Sequence, residues 1–181
     1  TILFPSALGG GNWGGAAFDP ARNLLIIKSE NLATRIKLVS QKIATDAPTS
    51  YLTRPLEGTP YRVEGELFMS PLGIPCTPPP WGTLSAVDMN SGKLQWQIPL
   101  GQVKRYAITV PASLGWGSPN IGGPIITAGG LIVVSGTIDV QIPAQDMGTG
   151  AKLLPANIPN APTAIAQHLP QTAHHTTTRT A

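Results

Sequence analysis

Ala86-Val87-Asp88-Met89-Asn90-Ser91-Gly92-Lys93-Leu94-Gln95-Trp96 is the stretch on which the fold turns. It returns 58 residues later as Ala144-Gln145-Asp146-Met147-Gly148-Thr149-Gly150-Ala151-Lys152-Leu153-Leu154, with Ala, Asp and Gly at the same offsets and Leu in place of Trp. Each shared residue type has a physical use. A small Ala lets neighbouring sheets approach closely, and an Asp accepts hydrogen bonds from backbone N–H groups in a turn. Gly supplies a positive φ, and a Trp wedges between adjacent units.

Working outward, short apolar runs flank turn residues. Ala16–Phe18 and Leu24–Ile27 enclose Asp19-Pro20-Ala21-Arg22-Asn23, which predicts a hairpin. Trp81–Asp88 and Lys93–Ile98 enclose the first repeat's turn, and Gly122–Ala128 and Leu131–Ser135 enclose Gly129-Gly130. Small antiparallel sheets that recur tens of residues apart point to radial architecture, the blades of a β-propeller. Two copies are too few to close a ring, so the chain reads as an all-β slice of two to three blades. The stretch from about Val39 to Pro80 is polar and broken by prolines, and reads as a long loop. From Asn157 to Ala181 the chain has no acid and no period, the signature of a disordered tail. The expected division is therefore a propeller portion over 1–155 and a tail over 156–181.

Composition agrees with a slice. The 181 residues carry 20 Gly and 19 Pro, hydrophobic residues at 41% and charged residues at only 12%, so turns abound and much of the surface suits burial against something else. No apolar run approaches the roughly 20 residues of a membrane span. The chain starts without a Met or a signal-peptide pattern, which leads us to expect an internal start. The net charge of +3 is spread thinly. Only Arg35, Lys37 and Lys42 hint at a basic stripe, and no nucleic-acid partner is expected. Cys76 is the single cysteine, so no internal disulfide can form.

The repeat resembles the tryptophan-docking motif of the eight-bladed dehydrogenases that use pyrroloquinoline quinone (PQQ). Leu3-Phe4-Pro5-Ser6, Asn12-Trp13-Gly14-Gly15, Asp19-Pro20, Ser70–Cys76, Pro80-Trp81-Gly82 and Gly122-Gly123-Pro124-Ile125 are similar to the membrane-bound glucose/quinate/shikimate branch. The likeness covers about Thr1 to Lys152. It implies a partial eight-bladed propeller with PQQ and Ca²⁺ or Mg²⁺ at the centre of the complete ring. It also implies a periplasmic propeller at the inner membrane, a sugar or cyclic polyol substrate, and ubiquinone as acceptor. The chemistry implied is base-assisted hydride transfer to the quinone, with the metal as Lewis acid. The family's catalytic Asp and cofactor-contacting Lys would precede Thr1, so the expectation is a C-terminal fragment of a glucose dehydrogenase, inactive alone. The alternatives are a quinate/shikimate dehydrogenase fragment and a non-catalytic propeller scaffold.

Five residues become cofactor candidates through the resemblance. Asp139 matches an acidic position near PQQ, against the plain alternative of a turn aspartate. Gly101 matches a glycine near the cofactor, against a strand-ending glycine. Asn12 and Trp13 are placed to line the central site with an amide and an aromatic wall, although a Trp in a glycine cluster also serves as a packing wedge. Lys28 stands where the family usually has a PQQ-contacting Asn, and a lysine lacks that amide's acceptor. The cluster Gly9–Gly15 lacks the helix and Lys-Ser or Lys-Thr of a phosphate loop. His168, His174 and His175 fall in the tail, without the companions a metal site requires. Pro143 sits where a strand donor is expected, and Leu153-Leu154-Pro155 departs from the family's continuation. Together these suggest a decayed or shifted reading frame after about Ile138.

Overall fold

The structure is a computed structural model that describes residues 1–7, 9–12, 14–42, 52–105, 108–134 and 141–157. The strands in chain order are β1 (Ile2–Leu3), β2 (Ala16–Asp19), β3 (Leu24–Glu30), β4 (Thr34–Ser40), β5 (Arg54–Pro55), β6 (Tyr61–Leu67) and β7 (Gly82–Asp88). They continue with β8 (Lys93–Pro99), β9 (Lys104–Arg105), β10 (Ile108–Thr109), β11 (Pro124–Ile126), β12 (Leu131–Val134), β13 (Gln141–Asp146) and β14 (Lys152–Asn157). Among the described residues the helical content is one 3₁₀ turn, Ala112–Leu114.

Two four-stranded sheets, β2-β3-β7-β8 and β11-β12-β13-β14, are antiparallel and run in chain order; they form two propeller blades. Three predicted hairpins are therefore present, as β2–β3, β7–β8 and β11–β12. The repeat sets the outer hairpin of each blade, β7–β8 and β13–β14, at matching positions. Strands β4, β5 and β6, inserted between β3 and β7, form a third sheet with the N-terminal β1 in the order β1-β4-β6-β5. This corrects the expected long loop from Val39 to Pro80. The alternation Tyr61-Arg62-Val63-Glu64-Gly65-Glu66-Leu67 looks polar, yet β4 and β6 pair over seven residues with Arg35 opposite Glu66 and Lys37 opposite Glu64. Opposite charges across a pair favour the ladder, so charged residues here build a strand.

The main apolar core lies between the two blades. Strand β3 alternates buried and half-buried along its length, and its buried parity carries Leu24 and Ile26. These pack with Leu84, Ala86 and Leu100 from the first blade and Ile132, Val134 and Met147 from the second. Each of the Leu, Ile, Val and Met side chains stabilises the stack by about 1.5–3 kcal/mol relative to exposure. Trp96 on the outer strand β8 crosses this interface. Its indole Nε1 donates to the Met147 carbonyl at 3.0 Å. Its ring covers Gly150, where an added Cβ would lie 2.9 Å from Cε3. Gly150 also has φ +72°, so the position excludes other residues on two counts.

The second blade is complete in spite of its prolines. Pro143 faces Pro155 across β13–β14. Neither has an N–H, so the pair fits only a non-hydrogen-bonded position of the antiparallel ladder, where none is needed. The β12–β13 pairing runs from Asp146 to Ala144 and ends short of Pro143. The β13–β14 pairing, bulged between Ala144 and Gln145, extends beyond Ile138 as far as Asn157. The expected tail begins inside β14, which includes Ala156 and Asn157, and its remainder with the three histidines lies outside the described residues.

Candidate cofactor-facing end of the blades

The two ends of the blade pair differ in chemistry. One end gathers the aspartate turns. Asp19 Oδ1 accepts from the Ala21 amide at 2.8 Å and Oδ2 from Arg22 Nη1 at 2.7 Å. Asp88 accepts from the Asn90 amide and the Ser91 hydroxyl, each at 2.8 Å. Asp146 accepts from the Thr149 amide at 2.9 Å and its hydroxyl at 2.8 Å. These donors hold all three carboxyls below the usual aspartate value: the Arg22 side chain leads for Asp19, the Asn90 amide for Asp88, and the Thr149 hydroxyl for Asp146. This end is structural.

The opposite end carries two of the sequence candidates, Asn12 and Gly101. Asn12 is half-buried in the glycine segment leading into β2, and its carbonyl accepts from the Gly15 amide at 2.8 Å. Gly14 touches Gly123, the residue before β11, so closely that a Cβ on either would fall inside the other's backbone. The first strands of the two blades therefore meet where only glycine fits. Gly101 follows β8 with φ +76°, which the turn itself requires. It lines a cleft between the blades together with Pro99, Gln102, Val110, Trp116 and Gln145. Trp13 and Asp139 lie outside the described residues.

Lys28 occupies a different place from the one its sequence position suggests. It falls on the same parity of β3 as Leu24 and Ile26, and its side chain is fully buried between the blades. Its ammonium lies 3.2 Å from Glu30 Oε1 and donates to the Asn120 carbonyl. Burial pushes the Lys28 ammonium below its ordinary value, and Glu30 opposes that shift. Glu30 Oε1 also accepts the Asn120 amide at 2.9 Å. The ion pair thus holds the N–H and the C=O of one residue. The carboxamide of Asn120, the hydroxyl of Ser118 and Glu30 Oε2 are buried there without a hydrogen-bond partner.

Sequence reading missed Glu30, Ser118, Asn120 and the pair Trp81–Trp116, whose rings meet edge-on with centroids 5.3 Å apart. The parity of β3 was the available signal for Glu30. The partners on the 116–123 segment had none, Asn120 being 90 residues from Glu30 and Trp116 lying well beyond local range of Trp81.

A family model described as the β-propeller domain of PQQ glucose/ethanol/alcohol dehydrogenases matches residues 1–169. The chain belongs to this family. Its relatives include a quinate/shikimate dehydrogenase (quinone) of Acinetobacter baylyi, 37% identical over 171 residues, which are 88% of this chain and 21% of the relative. A quinoprotein glucose dehydrogenase of Escherichia coli is 33% identical over 171 residues, 88% of this chain and 22% of the relative. The chain thus spans about a fifth of the length of these relatives. Among solved structures, a europium-containing methanol dehydrogenase superposes with TM-score 0.56 at 21% identity, covering 91% of this chain and 23% of that one. A quinohemoprotein alcohol dehydrogenase from Comamonas testosteroni gives TM-score 0.55 at 23% identity, covering 91% and 21%. These structures support the propeller fold.

The family is one of PQQ-dependent oxidoreductases. Against the cofactor, a planar acidic quinone, the described residues fit in part. At this end they comprise the half-buried Asn12 and the close backbone contact of Gly14 with Gly123. The lysine nearby is committed to Glu30 and Asn120. Among the described residues no group of three His, Cys, Asp or Glu side chains is placed to hold a metal ion. No helix among them is long and apolar enough to cross a membrane.

Proposed function

We propose that this chain is a two-blade portion of a PQQ dehydrogenase that oxidises a sugar or cyclic polyol and passes electrons to a quinone. The observation that carries the reading is the stacking of two blades through Trp96 on Gly150, in a chain matched to the family over residues 1–169. Bound PQQ would supply the electron-accepting quinone. Asn12 would present its amide to the cofactor's polar edge, and the Gly14–Gly123 contact would give it a flat wall. Trp13, Gly101 and Asp139 remain candidates for the same surroundings. Ca²⁺ or Mg²⁺ would be held by residues outside the described set.

The remaining blades are the partner this portion needs. The first blade's outer face exposes Phe18 and Leu94, and nothing lies within 4 Å of the Gly92 Cβ position. Gly92 is the counterpart of Gly150, which Trp96 covers. An open counterpart suits a preceding blade with its own aromatic wedge. On substrate, greater likeness to the quinate/shikimate enzyme than to the glucose enzyme favours a cyclic polyol over the aldose expected from sequence. A propeller at the periplasmic side of the inner membrane, reducing ubiquinone, is part of the same proposal. The relatives' names favour this reading over a non-catalytic scaffold.

The test is reconstitution of the complete propeller chain carrying this segment with PQQ and Ca²⁺. Dye reduction is followed with quinate, shikimate and glucose. Turnover with quinate or shikimate is expected. Failure to bind PQQ would remove the reading, and turnover with glucose alone would reverse the substrate assignment.

A further inference from the structure

We infer that Lys28 and Glu30 form a positioning clamp that sets the place of Asn12 at the cofactor-facing end. The inference rests on the PQQ reading above. The glycine segment that bears Asn12 is supported at two points. At one, the Glu30 amide donates to the Gly10 carbonyl at 2.7 Å. At the other, Gly14 lies against Gly123. These supports belong to different blades, and the ion pair ties them together. Glu30 Oε1 takes the Asn120 N–H, and Lys28 Nζ takes the Asn120 carbonyl, three residues before Gly123.

The side chain of Asn120 has no hydrogen-bond partner, so it adds no hydrogen bond that could hold this backbone in its place. The peptide is fixed from both sides by two charges on one strand. Beside a core of Leu, Ile, Val, Ala and Met, an apolar pair would pack as well as the ion pair. A non-directional contact, however, would leave the offset between the two glycine segments free to slide. Hydrogen bonds to one N–H and one C=O fix that offset. Lys28 thereby acts on the cofactor through Asn12 and not by touching it.

The test separates positioning from folding. In the complete dehydrogenase, Lys28→Met alone leaves Glu30 buried and unpaired, and the variant can fail to fold. The double variant Lys28→Met with Glu30→Leu removes both charges and retains packing. It is expected to fold with a lower Tm than the wild type, because no unpaired charge remains buried but the N–H and C=O of Asn120 lose their partners. It should bind PQQ at least about tenfold more weakly, because misplacing a contact group by about an ångström is costly. Backbone amides of Gly10–Gly15 should exchange faster, and Lys28→Arg, which keeps a charged donor, should restore binding to within a few-fold. A double variant that binds PQQ as tightly as the wild type, with unchanged exchange in Gly10–Gly15, would overturn the clamp. Absence of PQQ binding by the wild type would instead overturn the underlying reading.

Discussion

Asp146 and Gly150 sit four residues apart in one turn and serve two different neighbours. Asp146 holds the turn itself, through the Thr149 amide and hydroxyl. Its folded value lies below the ordinary 3.8, so its contribution to stability is present above that value and is lost as pH falls through the lower folded value. Thr149→Ala removes the leading cause and should move the Asp146 carboxyl back toward 3.8. Carbon chemical shifts of the side chain followed against pH would show this, and an unmoved midpoint would assign the anchoring to the backbone amide. Gly150 serves the other blade. A methyl there meets the Trp96 ring at 2.9 Å on a backbone with φ +72°. Gly150→Ala should therefore cost about 1–3 kcal/mol, read as a lower denaturant midpoint. Trp96→Phe keeps the wedge but loses the bond to Met147, at about 1 kcal/mol.

At the scale of elements, the inner strands β2 and β11 show what glycine spacing achieves. Gly14 and Gly123 press backbone to backbone, whereas Gly11, also in the cluster, has nothing within 4 Å of its Cβ position. Gly14→Ala should then cost about 3 kcal/mol, and Gly11→Ala should stay within about 0.5 kcal/mol. Equal effects in thermal unfolding would mean the cluster is used for turn flexibility and not for blade contact. Hairpins β2–β3, β7–β8 and β11–β12 were legible because their turns and their pairing are local. The inserted sheet was not. Strand β1 pairs with β4 across some 30 residues, and β6 hides an alternation in which charge replaces hydrophobicity. Of the candidates, Asn12 and Gly101 come from short motifs through the family resemblance, and both lie at the end opposite the aspartate turns. Lys28 was read as facing the cofactor because only its position along β3 was visible, and its partner Asn120 is 92 residues away.

At the scale of the molecule, the two blades are asymmetric in what covers them. The face of β3 that looks into the interface is buried, while the first blade's other face leaves Phe18 50% and Leu94 57% exposed. If a preceding blade closes this face in the complete propeller, Gly92 should behave there as Gly150 does here. The consequence is a substitution whose cost depends on context. Gly92 has φ +69° and open space around its Cβ. In the 181-residue chain alone, Gly92→Ala should cost only the backbone strain, about 1 kcal/mol. In the complete propeller the same methyl would meet an aromatic wedge, and the loss should rise to the about 1–3 kcal/mol expected of Gly150→Ala. Paired denaturation of both proteins, each with and without the substitution, measures the difference directly. Equal costs in the two settings would mean that no aromatic side chain docks on Gly92, and that the ring joins its blades differently at this face.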